Sequence, residues 1–162
     1  MNDTKSNKSQ YDRSGYVVVK NLFNKDIVGN AILEIQKSKN TKKYFDRKGN
    51  LRRIERIYNK GDTLNAINDQ ILLLLKQIFS NDFTIFKDKY NAKPPGGEGF
   101  YAHYDGIFTF KNSVGKIEKG WYKYTDFFVN VLIALDECNI DNGTIEIAEA
   151  HSEEYHKLLL NT

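Results

Sequence analysis

Two side chains in this sequence are spaced to share one metal ion. His103 and Asp105 stand one residue apart at the end of the run Lys-Pro-Pro-Gly-Gly-Glu-Gly-Phe-Tyr-Ala-His-Tyr-Asp, which begins at Lys93. In an extended strand, side chains at i and i+2 point to the same side, so an imidazole and a carboxylate in this pattern converge on one point. With one further imidazole such a pair makes the two-histidine, one-carboxylate triad that holds non-haem Fe(II) and leaves coordination positions open. A His-x-Asp triplet alone is a weak signal, because a strand-end histidine and aspartate commonly just hydrogen-bond locally. What strengthens it is the approach: two prolines and three glycines turn the backbone and deliver it into the extended segment.

Elements able to position that pair are legible on both sides of it. Met1 to Asp12 is polar and rich in Lys, Ser and Asn, and 1–14 reads as a disordered tail. Tyr16 to Val19 is a β-branched strand candidate. A helix is expected from Lys25 to Ser38, with Asn24 as its cap and Ile27, Val28, Ala31, Ile32 and Ile35 on one face. Lys39 to Asn50 is turn-rich, and Gly49-Asn50 reverses the chain into a strand over 51–58. Arg52, Arg53 and Arg56 in that strand are suited to an anionic group, although a solvated charged face is the commoner role. The strongest helix runs from Asp62 or Thr63 to Ser80, with Leu64, Ile67, Ile71, Leu74, Leu75 and Ile78 as a stripe wide enough to cover a sheet.

From Phe83 onward the pattern turns to strands. Candidates are Phe83–Phe86, 87–91, 107–110 and the nearly continuous apolar run Phe127–Leu135, which suits a strand covered on both faces. Lys111–Lys119 reads as a polar loop, a possible lid over the metal site. Asn142-Gly143 supplies a hairpin turn into a strand over 145–148. The expected class is α+β, mainly β, with one domain over 15–162.

The Lys-Pro-Pro-Gly approach with its His-x-Asp, the strand Leu132-Ile133-Ala134-Leu135-Asp136-Glu137, and the turn Asp141-Asn142-Gly143-Thr144 leading to Ala150-His151-Ser152 together resemble the phytanoyl-CoA dioxygenase family, from about Gly15 to Ser152. That resemblance implies a double-stranded β-helix (jelly-roll, cupin-like) core with N-terminal helices buttressing one sheet. It implies an Fe(II)- and 2-oxoglutarate-dependent dioxygenase hydroxylating a small organic substrate, with His103 and Asp105 as metal ligands. Oxidative decarboxylation of 2-oxoglutarate to succinate and CO2 would drive hydrogen abstraction from the substrate. A carboxylate at Asp105 fits hydroxylation, since related halogenases carry a small residue there. The same resemblance assigns Trp121, Asn130 and Lys93 to the co-substrate. The family's distal histidine and its 2-oxoglutarate-anchoring arginine come late in the roll. No arginine follows Arg56, and the only later histidines are His151, in a turn unlike the distal ligand, and His156, in a helix-like tail. The roll is therefore expected to be incomplete in this chain: the chain is a truncated piece of such an enzyme, is completed by a second chain or a second copy, or has become a non-catalytic domain. A zinc hydrolase using His103, Asp105 and His151 is the weaker third reading.

Composition narrows the classes further. With 24 basic and 21 acidic side chains the net charge is +3, too small and too dispersed for a dedicated nucleic-acid surface. One cysteine, Cys138, excludes an intrachain disulfide. There is no apolar leader at the N-terminus and no run long enough for a membrane span, so a cytoplasmic protein is expected.

Overall fold

The computed structural model describes residues 4–97, 99, 101–103, 109–119, 125 and 127–160. They divide into two compact units, Met1–Glu98 with Leu135–Ile145, and Gly99–Ala134 with Glu146–Thr162. The first unit contains helices α1 (Thr4–Ser14), α2 (Lys25–Lys37) and α3 (Asp62–Phe79) and strands β1 (Lys42–Phe45), β2 (Leu51–Glu55) and β3 (Lys89–Asn91). The second contains the hairpin β4 (Thr109–Lys111) and β5 (Ile117–Lys119), and helix α4 (Glu153–Leu160). The class is α+β, but among the described residues helix outweighs strand, so "mainly β" does not hold.

The two central helices form where the apolar spacing places them. Asn24 caps α2, its Oδ1 accepting from the Ile27 amide at 2.9 Å. Ala31 and Ile35 from α2 and Leu64 and Ile67 from α3 close on Ile54 of β2, and all five are buried. Phe23, Ile27, Leu51, Ile57, Ile71, Tyr90 and Leu135 pack around them. Strands β1, β2 and β3 make one antiparallel sheet in that order, with Tyr44 opposite Arg53 and Ile54 opposite Tyr90. Ile54 and Tyr90 thus point toward the helices, and the alternate residues of β2 face the other way.

Helix α3 begins without a local cap, because Gly61 has no side chain. Glu34 of α2 supplies it from 29 residues away, its Oε1 accepting from the Thr63 amide and its Oε2 from the Leu64 amide, each at 2.9 Å. This carboxylate satisfies two of the orphan donors at a helix N-terminus and sits at the positive end of the dipole. Partial burial pushes its pKa up, but the two amides and the Thr63 hydroxyl outweigh that and hold it below the ordinary glutamate value. The sign follows: the depressed carboxyl contributes stability above its unfolded pKa and loses it as the pH falls through the folded value. Glu34→Gln is therefore expected to flatten the acid limb of a stability-versus-pH curve between those two values; an unchanged limb would contradict the cap. A Cβ on Gly61 would lie 2.1 Å from Glu34 Oε2. The backbone there is extended (φ −174), open to any residue, so Gly61→Ala acts by displacing the carboxylate. Glu34→Ala and Gly61→Ala should each cost about 1 kcal/mol, the usual value of a cap, and the double variant should cost little more than either. Full additivity in urea denaturation would show that the two do not share one interaction.

Several segments depart from the sequence reading. Thr4–Ser14 is helical where a disordered tail is expected: Tyr11 meets the Phe79 ring edge-on at 4.8 Å and Lys8 pairs with Asp12 one turn on at 2.5 Å. One aromatic anchor on an otherwise polar segment was too sparse a pattern to announce a helix. The turn-rich region 39–50 holds β1, and its reversal is fixed by Asp46, which accepts from the Lys48 and Asn50 amides at 2.8 Å. Tyr16–Val19, Phe83–Phe86 and 145–148 carry no strand. Nor does Phe127–Leu135, in which Phe127, Phe128, Val131, Leu132 and Ile133 are exposed; an apolar run becomes a strand only where neighbours take up its backbone groups, and no described strand pairs with it. Lys111–Lys119, read as an open loop, is largely the β4–β5 hairpin, turned by Asn112, whose Oδ1 accepts from Val114 and Lys116 at 3.0 Å.

Candidate metal and co-substrate site

The turn before the His-x-Asp pair is built in the first unit. Strand β3 ends as the Ala92 amide donates to the Arg52 carbonyl at 2.9 Å. The Gly97 amide then closes a turn onto the Pro94 carbonyl at 3.0 Å, with Gly96 in the left-handed region (φ +69) that glycine enters without strain. Arg52 lies against this turn: its Nη1 would stand 2.9 Å from a Cβ at Gly97, so a side chain there would push the guanidinium aside. Lys93 donates through Nζ to the carbonyl of Gly143, in the Asn-Gly turn of the same unit. Its ammonium thus ties two turns together.

His103 lies in the second unit, exposed, on irregular rather than strand backbone. Its Nδ1 is 2.7 Å from the Tyr101 carbonyl oxygen. A carbonyl only accepts, so Nδ1 carries the proton, and in the neutral ring the lone pair is on Nε2. Metal-binding histidines are held in this way, one nitrogen donating to an oxygen while the other faces the ion. The donor chemistry of His103 fits a divalent metal. Asp105 and Trp121 lie outside the described residues. Asn130 is exposed on the apolar segment of the second unit rather than enclosed by it. Among the described residues no three His, Cys, Asp or Glu side chains gather as a metal site.

The later histidines take other positions. His151 has a left-handed backbone (φ 67) and its ring is tilted against Tyr155 at 6.4 Å. His156 is exposed on α4, as its helix-like surroundings predict, and its ring meets that of Tyr155 edge-on at 5.8 Å. Ser152 starts that helix by accepting from the Tyr155 amide at 3.1 Å. Sequence reasoning missed the cross-strand group of Tyr44, Arg53 and Glu55; the available signal was the matching two-residue alternation in two neighbouring strands.

An α+β domain with a tautomer-fixed histidine after a Pro-Pro-Gly-Gly turn is consistent with a metal-dependent oxygenase scaffold. The profile of the phytanoyl-CoA dioxygenase (PhyH) family matches residues 11–148, and the chain belongs to that family. It is 25% identical over 166 residues to a 2-aminoethylphosphonate dioxygenase from Uncultured bacterium HF130_AEPn_1, an alignment covering 93% of this chain and 59% of that relative's length. No solved structure matches significantly. No helix among the described residues is long and apolar enough to cross a membrane.

Proposed function

We propose that the chain is the Fe(II)-binding portion of a 2-oxoglutarate-dependent dioxygenase that hydroxylates a small organic molecule, on a jelly-roll whose major sheet is buttressed by α2 and α3. The observation that carries this is the His103 ring, with Nδ1 donating to the Tyr101 carbonyl and its lone pair on Nε2, in a chain of dioxygenase-family sequence. The name of the relative, a 2-aminoethylphosphonate dioxygenase, supports a small polar substrate. His103 through Nε2 and Asp105 through its carboxylate would hold the metal, with one further imidazole completing the set. Fe(II) held this way supplies the coupled oxidative decarboxylation of 2-oxoglutarate and oxidation of the substrate by O2. Within this chain, the Tyr101 carbonyl keeps the proton on Nδ1, which in the neutral ring leaves Nε2 as the nitrogen that can coordinate. Lys93 keeps the approach turn in place through Gly143, while Trp121 and Asn130 would contact the co-substrate.

The test is succinate formation by the purified protein with Fe(II), 2-oxoglutarate and ascorbate. The expected result is succinate that depends on both Fe(II) and 2-oxoglutarate and is lost in His103→Ala. Indifference to 2-oxoglutarate together with preference for Zn(II) would point to hydrolysis. Absence of succinate with any substrate would point to a binding domain without chemistry.

A further inference from the structure

The sheet of the first unit has two unlike faces. One sends Ile54 and Tyr90 into the helix-covered core. The other carries an ordered group of charges around a single aromatic ring. The register sets Tyr44 opposite Arg53, Lys42 opposite Glu55, and Lys89 opposite Glu55 from the third strand. The Arg53 guanidinium lies 4.2 Å from the Tyr44 ring centroid and Lys42 Nζ lies 4.9 Å from it. Glu55 accepts from the Tyr44 hydroxyl at 3.1 Å and has Arg53 Nε at 3.1 Å and Lys87 Nζ at 3.4 Å. Arg53 Nε is out of line for a hydrogen bond, so its contact with Glu55 is Coulombic.

This is not the pattern of a merely solvated face. Free surface arginines and glutamates swing through many rotamers, and their pairs contribute little. Here the Glu55 side chain is only 13% exposed and Arg53 36%, and the ring beneath fixes the guanidinium plane. Burial raises the Glu55 pKa, but the Tyr44 hydroxyl and the Lys87 and Arg53 cations outweigh it, so the group stays a carboxylate. That one carboxylate stands among four cations, Lys42, Arg53, Lys87 and Lys89. It occupies the Nε side of Arg53 and leaves the Nη1–Nη2 edge, a two-pronged donor for a second oxyanion. Among the described residues Arg53 makes no other ion pair.

We propose that this face binds the doubly charged oxyanion group of a small molecule, a phosphonate or phosphate, with Arg53 as the fork, Lys42 as the second cation and Tyr44 as the platform. A dianion matches the excess of positive charge, which a single carboxylate would leave largely unanswered. Nucleic acid would need a broader basic field than one strand pair offers. The proposal lies wholly within the first unit and does not rest on the oxygenase reading.

The experiment is a titration of the full chain with methylphosphonate at constant ionic strength, without metal or 2-oxoglutarate, followed by the side-chain 1H–15N signal of Arg53 and the ring signals of Tyr44. A saturable shift of both is expected, with acetate binding at least about tenfold more weakly, the difference one charge-assisted hydrogen bond makes. Arg53→Gln should weaken binding by about tenfold or more, and Arg53→Lys should recover only part of it, because an ammonium cannot fork. Lys42→Gln, at an exposed position that leaves the core intact, should weaken it a few-fold and serves if the Arg53 variants do not fold. A non-saturating response, equal binding of acetate and methylphosphonate, or unchanged affinity in folded Arg53→Gln or Lys42→Gln would overturn the proposal. Binding of methylphosphonate with no succinate formation would leave this site standing while removing the oxygenase reading, and the converse result would do the reverse.

Discussion

His103→Ala is expected to lower the affinity of the protein for Fe(II), or for Co(II) as its stand-in, by more than about 100-fold, the upper range seen when only an outer-shell partner of a metal site is lost. The fold should be indifferent to the change. His103 is exposed on irregular backbone, and the contact of its Nδ1 with the Tyr101 carbonyl is local. Thermal unfolding of the apo variant should therefore coincide with that of the parent. Calorimetric titration of both proteins checks the affinities directly. Equal affinity in parent and variant would remove His103 from the site.

The second large effect is on stability. Ile54 is 2% exposed at the middle strand of the sheet, facing Ala31, Ile35, Leu64 and Ile67. It is the residue through which the sheet and both central helices meet. Ile54→Ala should cost about 2–5 kcal/mol, transfer and cavity terms together, out of a total of about 5–15 kcal/mol for a domain. Ile54→Val should cost about 0.5–1.5 kcal/mol. Urea denaturation reads both through the shift in midpoint. A loss below that of the valine variant would mean that the two helices do not depend on the sheet for their packing.

How much of this was legible in the sequence depended on how local each signal was. Helices α2 and α3 follow from apolar spacing, and Asn24 announces itself as a cap because its partner is three residues on. The cap of α3 does not: Glu34 is separated from Thr63 by a strand pair and two turns. The clue was the absence of a capping side chain at Gly61, before the most strongly patterned helix of the chain. Strand β2 was expected, but its partner β1 was hidden in a lysine-rich segment whose alternation shows only when Lys42 and Tyr44 are set against Glu55 and Arg53. The apolar run at 127–135 misled in the opposite direction, since its composition records what such a segment is suited to and not what pairs with it.

The candidate site divides in the same way. His103 stands out as a candidate by its type and its spacing to Asp105, and the glycine-rich approach by composition. The Tyr101 carbonyl that fixes the tautomer was invisible, because it is a backbone group placed by conformation. Lys93 was assigned to the site by resemblance alone; the structure places its ammonium on the Gly143 carbonyl, a structural tie that the linear order, with the two turns 50 residues apart, did not suggest.

Long-range 1H–15N correlation of histidine-labelled protein in mildly alkaline buffer reads the central claim at a single ring, since the sequence has only 3 histidines. The account predicts that His103 is protonated on Nδ1, and that added Co(II) shifts its signals while those of His151 and His156 stay in place. A His103 ring protonated on Nε2, or signals unmoved by Co(II) in the folded protein, would contradict it.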